Sequence, residues 1–189
     1  VTTSRTPSPF AAGETSLIVK LPEAEPIVRP WRERFDPSAA YGVPAHVTVL
    51  YPFLEHARID ARVMAELRGL FAGHAAFEAR FARCGRFPGI LYLVPEPEAR
   101  FVALTEAVAA RWPEAPPYRG QFDEVIPHLT VADGEDLDAV ERQVAAGLPA
   151  VAHARSVSLE VFDGERWHPE AEFALGEQSG ELLGPKPSY

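Results

Sequence analysis

Two short β-branched runs constrain this chain more than any other feature. They are Pro44-Ala45-His46-Val47-Thr48-Val49-Leu50-Tyr51-Pro52-Phe53 and Pro127-His128-Leu129-Thr130-Val131-Ala132. Each carries His-x-Thr, and each stands third in the same series: strand, helix, strand, helix, strand. In the first series, 16–21 is a short apolar strand closed by Pro22. A helix follows through Ile27, Val28, Trp31 and Phe35 and breaks at Asp36-Pro37, with Pro30 as an irregularity inside it. After the motif strand, 59–71 is an amphipathic helix with Asp60 as its N-cap, and 77–81 alternates as a half-buried strand. The second series has a strand over 90–94, a helix over 98–112, a Pro-rich loop, the motif strand over 126–132, a helix over 137–148 and a strand over 157–162. Asp163-Gly164 then turns the chain into a hairpin partner over 167–175.

A repeat this long predicts two similar lobes rather than a solenoid. The fold class is α/β, in the mixed (α+β) sense, with largely antiparallel sheets in two pseudo-symmetric lobes around a central cleft. We read 16–175 as one bilobal domain, 1–15 as a flexible N-terminal segment and 176–189 as a C-terminal tail.

Side chains two apart on a strand point to the same side. His46 and Thr48 therefore share one face, with Val47 and Val49 on the other. His128 and Thr130 stand opposite Leu129 and Val131 in the same way. A pseudo-twofold would set the two His-Thr pairs across a cleft. Displacement at phosphorus needs a base on the attacking oxygen and an acid on the leaving oxygen, at opposite ends. One neutral and one protonated imidazole supply both near neutral pH. The threonine hydroxyls can donate to the non-bridging oxygens, where charge sits during the reaction. No metal or cofactor is required by that chemistry.

These two motifs resemble the signature pair of the 2H phosphoesterase superfamily, and of its 2′-5′ RNA ligase-like branch in particular. The resemblance runs from about residue 16 to residue 175. It implies the bilobal 2H fold and metal-independent cleavage of 2′,3′-cyclic or 2′-5′ phosphodiester bonds, in some members with the reverse ligation. It implies His46 and His128 as the catalytic pair and Thr48 and Thr130 as phosphate ligands. We read His128 as the general base and His46 as the general acid, roles that swap with the direction of reaction. One position departs from the ligating branch, which typically has an arginine five residues after the second histidine. Here that residue is Asp133, and a carboxylate does not bind phosphate as a guanidinium does.

Composition narrows the partners. The 189 residues carry 18 Lys+Arg against 27 Asp+Glu, a net charge of −9. That balance disfavours stable binding of long nucleic acid and docking to anionic membranes, and leaves a small nucleotide or an RNA terminus as substrate. The single cysteine, Cys84, excludes an internal disulfide and thiolate metal clusters. With no secretory signal or membrane span, the expected location is the cytoplasm. Tyr51 and Tyr92 are candidate substrate-lining residues through ring stacking. Phe87 and Phe122 are weaker candidates. His56, His74, His153 and His168 lack the strand-Thr context and read as surface or loop residues. Competing readings are a nucleotide or RNA-end binding module without turnover, a 2′-5′ ligase, and a metal hydrolase built from His and acidic residues.

Overall fold

The computed structural model describes residues 8–121, 125–134 and 137–177. Residues 1–7 of the N-terminal segment, Phe122, and residues 178–189 of the C-terminal tail lie outside the described residues.

Eight strands and five α-helices are assigned among those residues. In chain order they are β1 (Thr15–Lys20), α1 (Glu25–Phe35), α2 (Pro37–Ala40), β2 (His46–Leu50), α3 (Ala61–Ala72), β3 (Phe77–Phe87), β4 (Ile90–Glu96), α4 (Glu98–Arg111), β5 (Leu129–Asp133), α5 (Asp138–Ala145), β6 (Ala150–Ala154), β7 (Ser156–Phe162) and β8 (Trp167–Ala174). Helix α1 runs through Pro30. One lost hydrogen bond is tolerated there because Val28 and Arg32 are buried on the inner face. Asp60 caps α3 by accepting from the Val63 N–H at 2.9 Å.

The strands form two antiparallel four-stranded sheets, ordered β2-β1-β7-β8 and β5-β4-β3-β6. The two series in the sequence are therefore not the two lobes. Strand β3, last of the first series, pairs with β4 and β6, while β7 and β8 return to complete the sheet of β1. An inner strand must satisfy backbone groups along both edges. β1 takes β2 and β7, and β4 takes β5 and β3, so the pseudo-symmetry holds in space with the chain exchanged between lobes. Strand β6 escapes the sequence reading. Its inward residues are Ala150, Ala152 and Ala154, and alanine gives little β signal. Strand β3 also runs six residues past its sequence-read end, through a register irregularity between Phe81 and Cys84.

Each motif strand lies at the edge of its sheet, and these two edges approach one another. The helices cross over reciprocally, with α1 packed on β5 and α4 on β2. Thr105 of α4 donates to the Val49 carbonyl at 2.7 Å, tying helix to motif strand. Val47, Val49, Leu129 and Val131 are buried in one continuous core that also holds Leu17, Phe71 and Phe101. At the N-terminal side, Phe10 packs edge-on against Tyr41 and Trp167, and the Gly13 N–H donates to the Phe162 carbonyl. Among the described residues, no helix is long and apolar enough to cross a membrane.

Candidate active site

The alternation expected in the two motifs is present. His46 and Thr48 are half-buried between the buried Val47 and Val49, and His128 and Thr130 stand likewise around Leu129 and Val131. Both imidazoles are tethered in the same way. His46 Nδ1 lies 2.7 Å from the Pro44 carbonyl, and His128 Nδ1 lies 2.8 Å from the Ile126 carbonyl. A carbonyl can only accept, so each Nδ1 carries the proton and donates it. Each Nε2 is then the atom that can give or take a proton.

Helix α1 holds the entry to the first motif. Glu25 and Arg32, two turns apart on one helical face, reach the backbone on either side of Pro44. Glu25 accepts from the Ala45 N–H at 2.7 Å, and Arg32 donates to the Val43 carbonyl at 3.2 Å. Arg32 also pairs with Asp36 at 2.8 Å, and both are buried, at 2% and 6% exposure. Asp36 in turn caps α2, accepting from the Ser38 N–H and hydroxyl at 2.9 and 2.8 Å.

This surrounding sets the charge on His46. Burial first, then the Arg32 guanidinium, lowers its pKa to about 4, against the opposing pull of the Pro44 carbonyl and Asp36. The charge of His128, on the approaching β5 edge, also lowers it, as the smallest contribution. Burial lowers the pKa of His128 too, offset by the Ile126 carbonyl. The more strongly lowered imidazole is the better candidate for the neutral partner.

Both candidate tyrosines lie beside a motif. Tyr51 lines a cavity of about 130 Å³ together with His46 and Thr48. Its hydroxyl donates to Glu14 at 2.9 Å, and burial and that carboxylate raise its pKa well above the usual tyrosine range. Tyr92 pairs in register with Thr130, and its ring centroid is 5.5 Å from that of His128. Phe87, the weaker candidate, stacks on Tyr92 at 4.4 Å and meets His128 edge-on at 5.1 Å. Gly85 makes this wall possible, since a Cβ there would come within 2.5 Å of the Tyr92 ring.

Tyr118 was not singled out by the sequence. Tyr118 and Arg119 both adopt left-handed backbone, with φ of 49° and 57°. The Tyr118 N–H donates to the Tyr51 carbonyl at 2.7 Å, and its hydroxyl shares a hydrogen bond with Thr48. A residue in a Pro-rich loop gives no periodic signal, and only this turn carries its ring to the first motif.

The remaining histidines lie apart from these pairs. His56, His153 and His168 approach surface carboxylates of Glu170, Glu23 and Asp163. Among the described residues, no group of three or more His, Cys, Asp or Glu side chains is placed to hold a metal ion. Burial pushes the Cys84 thiol up to about 11, away from nucleophilic thiolate.

Comparison with known proteins agrees with this architecture. Residues 20–166 match the family model described as the 2′-5′ RNA ligase superfamily. The crystal structure of E. coli LigT complexed with 3′-AMP superposes with a TM-score of 0.58 at 16% identity, covering 87% of this chain and 99% of that one. TT0787 of Thermus thermophilus gives a TM-score of 0.59 at 20% identity, with 87% and 100% covered. A LigT complex with NADP+ gives 0.55 at 16% identity, with 89% and 100% covered. At these identities the likeness establishes the fold. A search of curated protein sequences finds no match.

Proposed function

The chain belongs to the 2′-5′ RNA ligase superfamily, that of the 2H phosphoesterases, and from that premise we propose a metal-independent phosphodiesterase. Its substrates are 2′,3′-cyclic phosphates or 2′-5′ phosphodiesters of nucleotides or RNA ends, and its compartment is the cytoplasm. The observation that carries this reading is the matched tethering of two motif histidines on two approaching sheet edges. Matched tethers leave both Nε2 atoms available, and on this reading they serve the two ends of one in-line displacement.

Because His46 is the more strongly lowered imidazole, we assign it the base in hydrolysis, in place of the His128 of the sequence reading: His46 Nε2 takes the proton of the attacking water as its oxygen bonds to phosphorus. The bond to one ribose oxygen breaks, and His128 Nε2 delivers a proton to that oxygen. Thr48 and Thr130 donate to the non-bridging oxygens. Asp133 is exposed at the end of β5. A carboxylate there supports hydrolysis of a small or terminal diester over ligation of a long RNA. That E. coli LigT is crystallised with 3′-AMP, ATP and NADP+ supports a small nucleotide as ligand.

Product analysis tests the reading. Chelator-treated protein should open 2′,3′-cyclic nucleotides to a monophosphate or cut 2′-5′ linked dinucleotides, and leave 3′-5′ linkages intact. Absence of turnover alongside tight equilibrium binding would replace the enzyme with a binding module.

A further inference from the structure

The cavity at the first motif extends beyond anything the phosphoryl chemistry needs. Its lining combines the polar His46, Thr48 and Tyr118 with the apolar side chains of Ile18 and Val43 and the indole of Trp167. At about 130 Å³ it is close to the size of an engineered cavity that holds one benzene ring. Two of its lining residues carry polar groups unexplained by that chemistry. Glu160 is 3% exposed and lines the cavity. Its Oε1 takes both the Ser158 hydroxyl at 2.6 Å and the Lys20 ammonium at 2.8 Å. Trp167 is 6% exposed, and its Nε1–H is buried with no hydrogen-bond partner among the described residues.

We propose that this chamber is a base-recognition subsite that takes a pyrimidine with an exocyclic amine, cytosine before uracil. The inference rests on the phosphodiesterase reading and names the part of the substrate that does not react. Lys20 already neutralises Glu160, and the phosphate donors are His46 and Thr48, so the anionic end stays with those residues and a neutral ring takes the rest of the cavity. Glu160 accepts from the amino group, as carboxylates do from cytosine N4. Trp167 Nε1–H is the donor for the ring carbonyl. In the structure that N–H is buried, and the half-buried Phe10 ring packs edge-on against the indole at 5.2 Å, so the proposed contact requires the indole edge to open to the base. The volume admits a single ring and crowds a purine.

Substrate ratios test this. KM is measured for the four nucleoside 2′,3′-cyclic phosphates and for methyl riboside 2′,3′-cyclic phosphate, which has no base. Cytidine should bind about tenfold better than the base-free analogue and better than either purine, the size of one base-edge contact. Glu160→Leu, which removes the acceptor while Lys20 keeps Glu172, and the chamber-filling Val43→Phe should each bring the cytidine to base-free ratio close to one. Loss of packing alone would lower melting temperature without moving that ratio. Equal KM values across the wild-type series, or a purine preference, would overturn the subsite and leave the phosphodiesterase standing. If no cyclic substrate is turned over, that reading fails instead. Calorimetric titration with 3′-CMP and 3′-AMP then decides the chamber, because equal or absent binding rejects it. Should Val43→Phe not fold, Glu160→Leu and the wild-type ratios still decide the question.

Discussion

His46→Ala and His128→Ala should each slow turnover of a 2′,3′-cyclic nucleotide by about 10³-fold, a typical contribution of one positioned proton-transfer group. The double variant should be little slower than the slower single one, because acid and base act in one transition state and their losses do not add. Thr48→Val and Thr130→Val keep the shape and remove only the hydroxyl donors. They should cost about 10²-fold in kcat, as for loss of one oxyanion donor. The Nδ1 tethers place each imidazole without help from the other, so neither variant should change the melting temperature by more than a surface substitution does. Steady-state rates with each purified variant check this, and full activity in either histidine variant would remove the mechanism.

Arg32→Met should have the largest effect on stability. The substitution leaves the Asp36 carboxylate buried without its guanidinium partner, and breaking a buried pair costs about 3–5 kcal/mol. Asp36 keeps the Ser38 N–H and hydroxyl, so the lower end, about 3 kcal/mol, is expected. For a chain of this length that corresponds to a fall in Tm of about 6–12 °C. Arg32 also holds the Val43 carbonyl, so activity should fall with stability as the first motif loses its anchor. Arg32→Met combined with Asp36→Ser removes the stranded charge and keeps an N-cap residue for α2, and should recover most of the lost Tm. A double variant no more stable than the single one would show that the uncompensated carboxylate is not the cause.

The parts of this molecule that the sequence makes legible are those with a local period. Alternation in the two motif strands foretold which faces of Val47, Val49, Leu129 and Val131 would be buried. The amphipathic stripes of α3 and α4 were readable for the same reason. Exchange of β3 and β7 between lobes was not, because strand pairing joins residues far apart in the chain and leaves no local trace. Glu160 shows the same limit within the site. A charged residue in an alternating strand reads as solvent-facing, yet its face here looks into the cavity beside the first motif. Asp36 likewise reads only as a helix break, and it is the packing of α1 against β5 that turns Arg32 and Asp36 into a buried support for residues 43–45 at the entry to β2.

The pH dependence of kcat/KM for cyclic nucleotide hydrolysis tests the paired-imidazole account most directly. The base must be neutral and the acid protonated in the free enzyme. His46 loses its proton as pH rises through about 4. His128, lowered from the ordinary imidazole value of 6.5, loses its proton before that value is reached. The account predicts a bell with its maximum between about pH 4 and pH 6.5, unchanged by chelators. A rate that stays level or keeps rising above pH 8 would contradict it, because no protonated imidazole would then be left to serve the leaving oxygen.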